Sequence, residues 1–476
     1  MNGITVIKAK TTIAILVLLV ASFVVICSTL EDSDASSSDY RFSGELMESL
    51  SSSNGINDVT IDTVWSKENV RGYAVAGEYI YASFKTGDLQ KIEIKTGQVV
   101  KTVPTGKDSG VDYVSVGDNY VLDPASGNVY DLDLNKLYSL GTSSDQGYYD
   151  DGYWYVVKAD KTCTCFSAKD EDKSSADNVQ SQKWSQKFFF YIDSFTLTVS
   201  LAFGDKCLFY PGIGESDTAK RIVYSVDKAT GDLKDSFEMT EIQSTFWNSG
   251  FIQCFDDTVI VTTHWDSMFA PPRLGDDYKT IFLIDVGSDG KFKSDTAKYW
   301  SNGYNDSYGS CMIVVGGLGF AQTGLSFKVF DMKDGKIKAT TDVDSRLGKT
   351  YSNIAVAAGD DGFVRGYVSP AGAPNPLSPV DGLICFEYNK KTGDIRSFDI
   401  KVGTPQTDNT NPIKIGPNGE VIFAKNDGKL YCITSTIQPS SGFDMPIWAI
   451  VLIVLLVIAV IAAVFFVRKK KSSIDG

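Results

Sequence analysis

Histidine is almost missing from this chain: His264 is the only one in 476 residues. A histidine-rich metal centre is excluded by count. A Ser-His-Asp hydrolase would have to use His264, which stands in "VTTHWDS" beside Asp266 and Ser267. No Gly-x-Ser-x-Gly elbow frames a nucleophile, and triad partners are seldom sequence neighbours. A strand-end histidine next to Trp265 is the simpler reading. Sustained helical periodicity is also lacking between residues 60 and 436. Cysteine is sparse, eight in all. Cys163 and Cys165 share a strand face and could touch one metal, but no second close pair completes a zinc site. Cys207, Cys254, Cys311, Cys385 and Cys432 stand at strand positions, as buried thiols or as partners in one or more disulfides.

Basic charge is short as well. The net charge is −14. Residues 1–30 carry only Lys8 and Lys10. Residues 468–476 carry Arg468, Lys469, Lys470 and Lys471 against Asp475. These ends hold +2 and +3, which leaves −19 for residues 31–467. Such a body repels phosphate backbones, so nucleic acid is not an expected partner.

Two long apolar runs set the expected location. Lys8 and Lys10 precede "TTIAILVLLVASFVVIC", the layout of a secretory signal peptide or an uncleaved membrane segment over 1–30. The second run, Ile447–Val467, has 21 residues and no charge. At about 1.5 Å per residue it matches a hydrocarbon core of about 30 Å. "RKKK" follows at once, and basic flanks stay cytoplasmic. The expected order is a membrane-targeting segment (1–30), a polar linker (31–58), an extracytoplasmic domain (59–436), a juxtamembrane linker (437–446), one transmembrane helix (447–467) and a basic cytoplasmic tail (468–476).

The domain is a repeat. "YSVDKATGDL" (Tyr224–Leu233), "KIEIKTGQVV" (Lys91–Val100), "VFDMKDGKIK" (Val329–Lys338) and "FEYNKKTGDI" (Phe386–Ile395) share one form. An alternating strand ends in Asp, Glu or Asn four residues before a turn glycine, and a second strand follows. The Asp227 position stays short and polar or acidic in the copies: Glu93, Asp331, Asn389. The Asp232 position drifts to Gln98 and Lys336, which suits a hairpin and not a repeated metal site. A second element, a Gly/Asp/Asn turn followed by an apolar strand, recurs eight times at spacings of about 35 to 60 residues, within the range of repeat architectures. Two hairpins per unit predict four-stranded blades of an all-β propeller. Eight blades are expected, with six or seven as alternatives. The last unit lacks its outer strand, and 59–70 offers a spare one, so a first-to-last exchange would close the ring.

This pattern resembles the pyrroloquinoline-quinone-like β-propeller repeats, through Asp227, Thr230 and Gly231 and through Asn389, Thr392 and Gly393. "IKTGQVVKTVPTG" (Ile94–Gly106) is similar to archaeal surface-layer propeller repeats. The resemblance implies a propeller over about 60–436. The tryptophan that the family places four residues after the turn glycine is replaced by Lys101, Asp235 and Ser397, with Phe398 one place on. Family enzymes hold a quinone and calcium centrally, and no motif here maps onto that site.

Acidic turns such as "YYDDGYW" could each take up calcium, but none has alternating ligands closed by a glutamate. No cofactor is expected beyond that. Flat rings beside hydrogen-bonding groups suit sugars or proteins. Tyr148, Tyr149, Tyr153 and Trp154 in one stretch, and Trp265, Trp300 and Tyr304, are therefore the candidate binding residues, set against ordinary blade packing. Asn305 heads the only glycosylation sequon. Of three insertions, 168–183 reads as floppy, whereas the Pro-rich 266–277 and 369–382 read as a binding rim. The expected function is a membrane-anchored, non-catalytic binding or scaffold module for a surface protein or envelope glycan. The alternative is an extracytoplasmic enzyme, quinone-dependent or glycan-acting, with its site in the propeller funnel.

Overall fold

The computed structural model describes residues 59–437. Excepted are the stretches 107–112, 145, 174–177, 191–200, 218–219, 240–247, 265–277, 294–297, 303–308, 324–325, 334, 343–350, 360–361, 371–381, 402–412 and 425–427. The described residues form eight antiparallel sheets of four strands each. Blades 1 to 7 follow chain order and start at the inner strands Val70–Ala76, Ser115–Val116, Gln146–Asp150, Ala202–Phe203, Asn248–Phe255, Gly309–Val315 and Tyr351–Ala358. Blade 8 draws Lys414–Ile415, Val421–Ala424 and Leu430–Ile437 from one end of the domain and its outer strand, Val59–Lys67, from the other. Val59 pairs with Ile437 and Lys67 with Leu430. The expected strand exchange is thus present, and the blade count is eight rather than six or seven. Hydrogen-bonding the first strand onto the last removes two raw edges that would otherwise invite pairing between chains.

Burial follows radial position. The second strand of a blade lies between two neighbouring sheets, so both its faces are covered. Cys207–Ile213 is buried at six successive places and reads as a continuous apolar run. Outer strands keep one side wet: in Val99–Pro104 every side chain is exposed or half-buried. The core is therefore divided into slabs between blades. Tyr155, Trp184, Leu208 and Tyr224 fill the slab between blades 3 and 4. Tyr73, Ile80 and Ile92 meet Ile422 and Cys432 between blades 1 and 8. Each such large side chain contributes about 1.5–3 kcal/mol through burial, so the slabs hold the ring together.

The turn between the third and fourth strands shows why its sequence recurs. In blade 4, Asp227 Oδ1 accepts the amides of Ala229 at 2.8 Å and Thr230 at 3.2 Å. The Gly231 amide donates to the Asp227 carbonyl at 2.9 Å, with Gly231 at φ 77°, a conformation glycine adopts without penalty. Asn389 accepts from Lys391 and Thr392 in blade 7 at 2.9 and 3.1 Å. An amide side chain replaces a carboxylate there, so the position serves the backbone. Cys163, Cys165, Cys207, Cys254, Cys385 and Cys432 are free thiols, all buried except the half-buried Cys254.

Candidate functional site

Strand direction gives the propeller two faces. The turns joining first to second and third to fourth strands lie on one, here the turn face. The connections joining second to third strands, and one blade to the next, lie on the other, the loop face. This divides the aromatic candidates. Tyr148, Tyr149, Tyr153 and Trp154 belong to the first hairpin of blade 3, at the turn face. Trp265, Tyr304 and Asn305 lie outside the described residues, as do 266–277 and most of 369–382. The strand ends at His264 and Asn302 that lead into the first three point to the loop face. Trp300 stands in the outer strand of blade 5, opposite Ile281. Of the described candidates, the blade 3 residues and Trp300 thus stand in different blades, on a first hairpin and on an outer strand.

Packing further sorts the blade 3 residues. Trp154 is 0% exposed and donates Nε1–H to the Tyr138 hydroxyl at 3.3 Å. Its ring is core and not a binding surface. Tyr149 packs edge-on against it at 5.1 Å and donates to Asp118 of blade 2 at 3.0 Å. Burial, with Asp118 alongside, pushes its hydroxyl up to about 12. Tyr148 packs on Phe203 of blade 4 and donates to Gln146 at 2.9 Å. Only Tyr153, at 39% exposure, offers its ring to solvent. Three of the four thus hold blade 3 to its neighbours, since Tyr138 belongs to blade 2.

The inner wall can be read from register. In blade 8 one cross-strand row runs Lys414, Ile422, Cys432, Trp65 from the axis outward. The matching inner places on the same face of other blades are uncharged, among them Ala74, Ser115, Tyr148, Ala202 and Ile313. Among the described residues, this row of inner places contains no carboxylate. The carboxylate of Asp150, at the turn-face end of an inner strand, is taken by Lys228 of blade 4 at 2.6 Å. Carboxylate and guanidinium groups do converge in blade 7. Glu387, 2% exposed, receives Arg365 Nε at 2.8 Å and Arg396 Nε at 2.8 Å. That cluster spans the second to fourth strands, away from the axis. Among the described residues no group of three or more His, Cys, Asp or Glu side chains is arranged to hold a metal.

Two features escaped the sequence reading. In place of a tryptophan behind the turn glycine of the same hairpin, the outer strand of one blade docks a tryptophan on the next blade's turn. Trp65 of blade 8 donates to the Ile94 carbonyl of blade 1 at 2.6 Å, and Trp184 of blade 3 donates to the Lys228 carbonyl of blade 4 at 2.8 Å. A Cβ on Gly97 would lie 2.7 Å from Trp65 Cδ2, and one on Gly231 would lie 2.7 Å from Trp184 Cδ2. The signal was available, since both tryptophans sit in strands that lack the regular turn before them. Second, the insertion 168–183 is not floppy over its described residues. Asp170–Asp172 forms a short 3-10 turn. Val179 bridges Ser139 in parallel, with Ser139 N donating to Asn178 O at 3.0 Å and Gln180 N to Ser139 O at 2.7 Å. The insertion straps the outer edge of blade 2.

No protein-family model matches this chain, and no curated protein sequence matches it. Solved structures do, 1197 chains of them, so the likeness is to a widespread architecture rather than to one protein. The computationally designed Ika8 protein matches with a TM-score of 0.51 and 13% identity, over 78% of this chain and 96% of that one. BamB from Moraxella catarrhalis matches with a TM-score of 0.48 and 11% identity, over 78% of this chain and 99% of that one. At these identities the comparison with Ika8 supports the fold alone. The chain is an eight-bladed β-propeller closed by pairing of its first strand with its last.

Proposed function

We propose that this chain is a single-pass cell-surface propeller, its body outside the membrane, that binds a protein or an envelope glycan without catalysis. The observation that carries this reading is the pairing of Val59 with Ile437. Both routes out of the ring, toward the apolar run in 1–30 and toward 447–467, leave from one edge of blade 8. A domain tethered there keeps the rest of its rim free. The second apolar run lies outside the described residues, among which no helix is long and apolar enough to cross a membrane.

The strand ends that flank the Pro-rich stretches, at His264 and Tyr278 and at Pro370 and Gly382, lie on the loop face, where the proposed rim is placed. Photo-crosslinking of the full chain in intact membranes, followed by affinity capture and mass spectrometry, tests the reading. One recurrent protein or glycan crosslinked through the 266–277 or 369–382 peptides is expected. Crosslinks scattered without a recurrent partner, together with no glycan retention, would sink it.

A further inference from the structure

Lys414 stands where other blades put an uncharged side chain: Ala74, Ser115, Tyr148, Ala202, Gln253 or Ile313. Its cross-strand partner, Ile422, packs in the slab facing blade 1, together with Tyr73, Ile80 and Cys432. The Tyr73 hydroxyl donates to the Ile422 carbonyl at 3.0 Å, so the phenol is engaged with the backbone of that same pair. Cys432 Sγ points to the Ile94 carbonyl at 3.7 Å. Glu420, the nearby carboxylate of blade 8, is occupied by Asn418, whose backbone amide and Nδ2 each donate to it at 3.0 Å. Among the described residues, Lys414 has neither a hydrogen bond nor an ion pair. Yet its side chain remains partly accessible, on the innermost strand.

We propose that Lys414 is a carbonyl-capturing amine, placed at the axial end of an apolar row to condense with an aldehyde or ketone. A lysine set among apolar side chains, with no counter-charge among the described residues, disfavours its ammonium form, and a neutral amine is a nucleophile. Burial pushes the Lys414 amine below the ordinary lysine range. In the reaction the nitrogen lone pair adds to the carbonyl carbon, a proton passes from nitrogen to oxygen, and water leaves as the imine forms. Nothing is oxidised or reduced. A neutral ligand suits the surroundings better than an anion. Glu78, Asp118, Asp151, Asp205 and Asp257 belong to the first-hairpin turns, so the turn-face mouth is acidic. The inference is independent of the membrane tether and of the partner at the rim.

The test uses the wild-type full chain in detergent, treated with propionaldehyde and cyanoborohydride, with labelling rates read per lysine by peptide mass spectrometry. Lys390 and Lys391, in the exposed turn of blade 7, serve as internal references. At neutral pH, Lys414 should label several-fold faster than either, and the gap should close as pH rises into the ordinary lysine range. The groups facing it, Tyr73, Cys432 and Glu420, do not supply a competing amine. Lys414→Met should lose the mark while keeping or raising the unfolding midpoint. Labelling no faster than at Lys390 and Lys391 would overturn the proposal. So would protection of Lys414 by millimolar inorganic phosphate, which would make the place an anion site instead.

Discussion

Gly97→Ala and Gly393→Ala alter the same turn in two blades and should differ in cost. Both glycines are left-handed, at φ 69° and 78°. An alanine forced into that region costs about 1–2 kcal/mol. That term is common to both. At Gly393 an added methyl meets nothing within 4 Å, whereas at Gly97 it would enter the contact shell of the Trp65 ring. The indole must shift, straining its 2.6 Å hydrogen bond to Ile94. A lost hydrogen bond costs about 1 kcal/mol, and overpacking a filled site adds about 1–3 kcal/mol. Gly97→Ala should therefore destabilise by about 3–6 kcal/mol and Gly393→Ala by about 1–2 kcal/mol, the sums of those terms. Urea unfolding followed by tryptophan fluorescence and by far-UV circular dichroism reads both. In a Trp65→Ala background the excess at Gly97 should vanish, giving a coupling of about 2 kcal/mol, within the range for touching residues. Equal costs for the two glycines, or additivity with Trp65→Ala, would refute the docking of blade 8 onto blade 1 through this ring.

Other expectations follow from the same contacts. Asp227→Ala should cost about 0.5–2 kcal/mol, chiefly because the Ala229 and Thr230 amides lose their acceptor, while the partly exposed bridge to Lys234 at 2.9 Å contributes little. Asp232→Lys should be nearly neutral by the same unfolding assay. The hydrogen bond from Lys234, then the turn amides, hold the Asp227 carboxyl below its usual range. Its contribution is therefore complete above the ordinary carboxylate range and is lost as pH falls through the lowered value. Wild type and Asp227→Asn should accordingly converge in stability only in strong acid. Glu387→Gln leaves two guanidiniums without their carboxylate, one of them buried. A cost of about 3–5 kcal/mol is expected, with Arg365→Met/Glu387→Met recovering most of it. Val179→Pro should raise amide exchange at Ser139 and Gln180, and unchanged exchange there would contradict the edge strap.

The blades were legible because their signals are local. Tyr79–Phe84 and Cys207–Ile213 are apolar runs set between turn residues, and Asp227 with Gly231 marks a hairpin that needs no distant partner. Even the closure could be anticipated, since a missing strand at one end matched a spare one at the other. Contacts between blades were not legible. Trp154 and Tyr153 are neighbours in "GYWY", but strand alternation sends one into a slab and the other into solvent, and only the fold says which. The insertion 168–183 has the composition of a loop, yet its hydrogen bonds come from the edge of the preceding blade. Lys414 was not legible in the sequence, because one lysine in a strand is ordinary until the register sets it against the uncharged places it matches.

The claim that the propeller is held outside the cell by its C-terminal run can be tested on the unmodified protein. Intact cells are treated with a membrane-impermeant amine-reactive biotin reagent, and labelled peptides are compared with those from permeabilised cells. Lys390 and Lys391, exposed on the propeller, should be labelled in intact cells. Lys469, Lys470 and Lys471 should be labelled only after permeabilisation. Tail lysines labelled in intact cells, or propeller lysines silent until permeabilisation, would contradict the account.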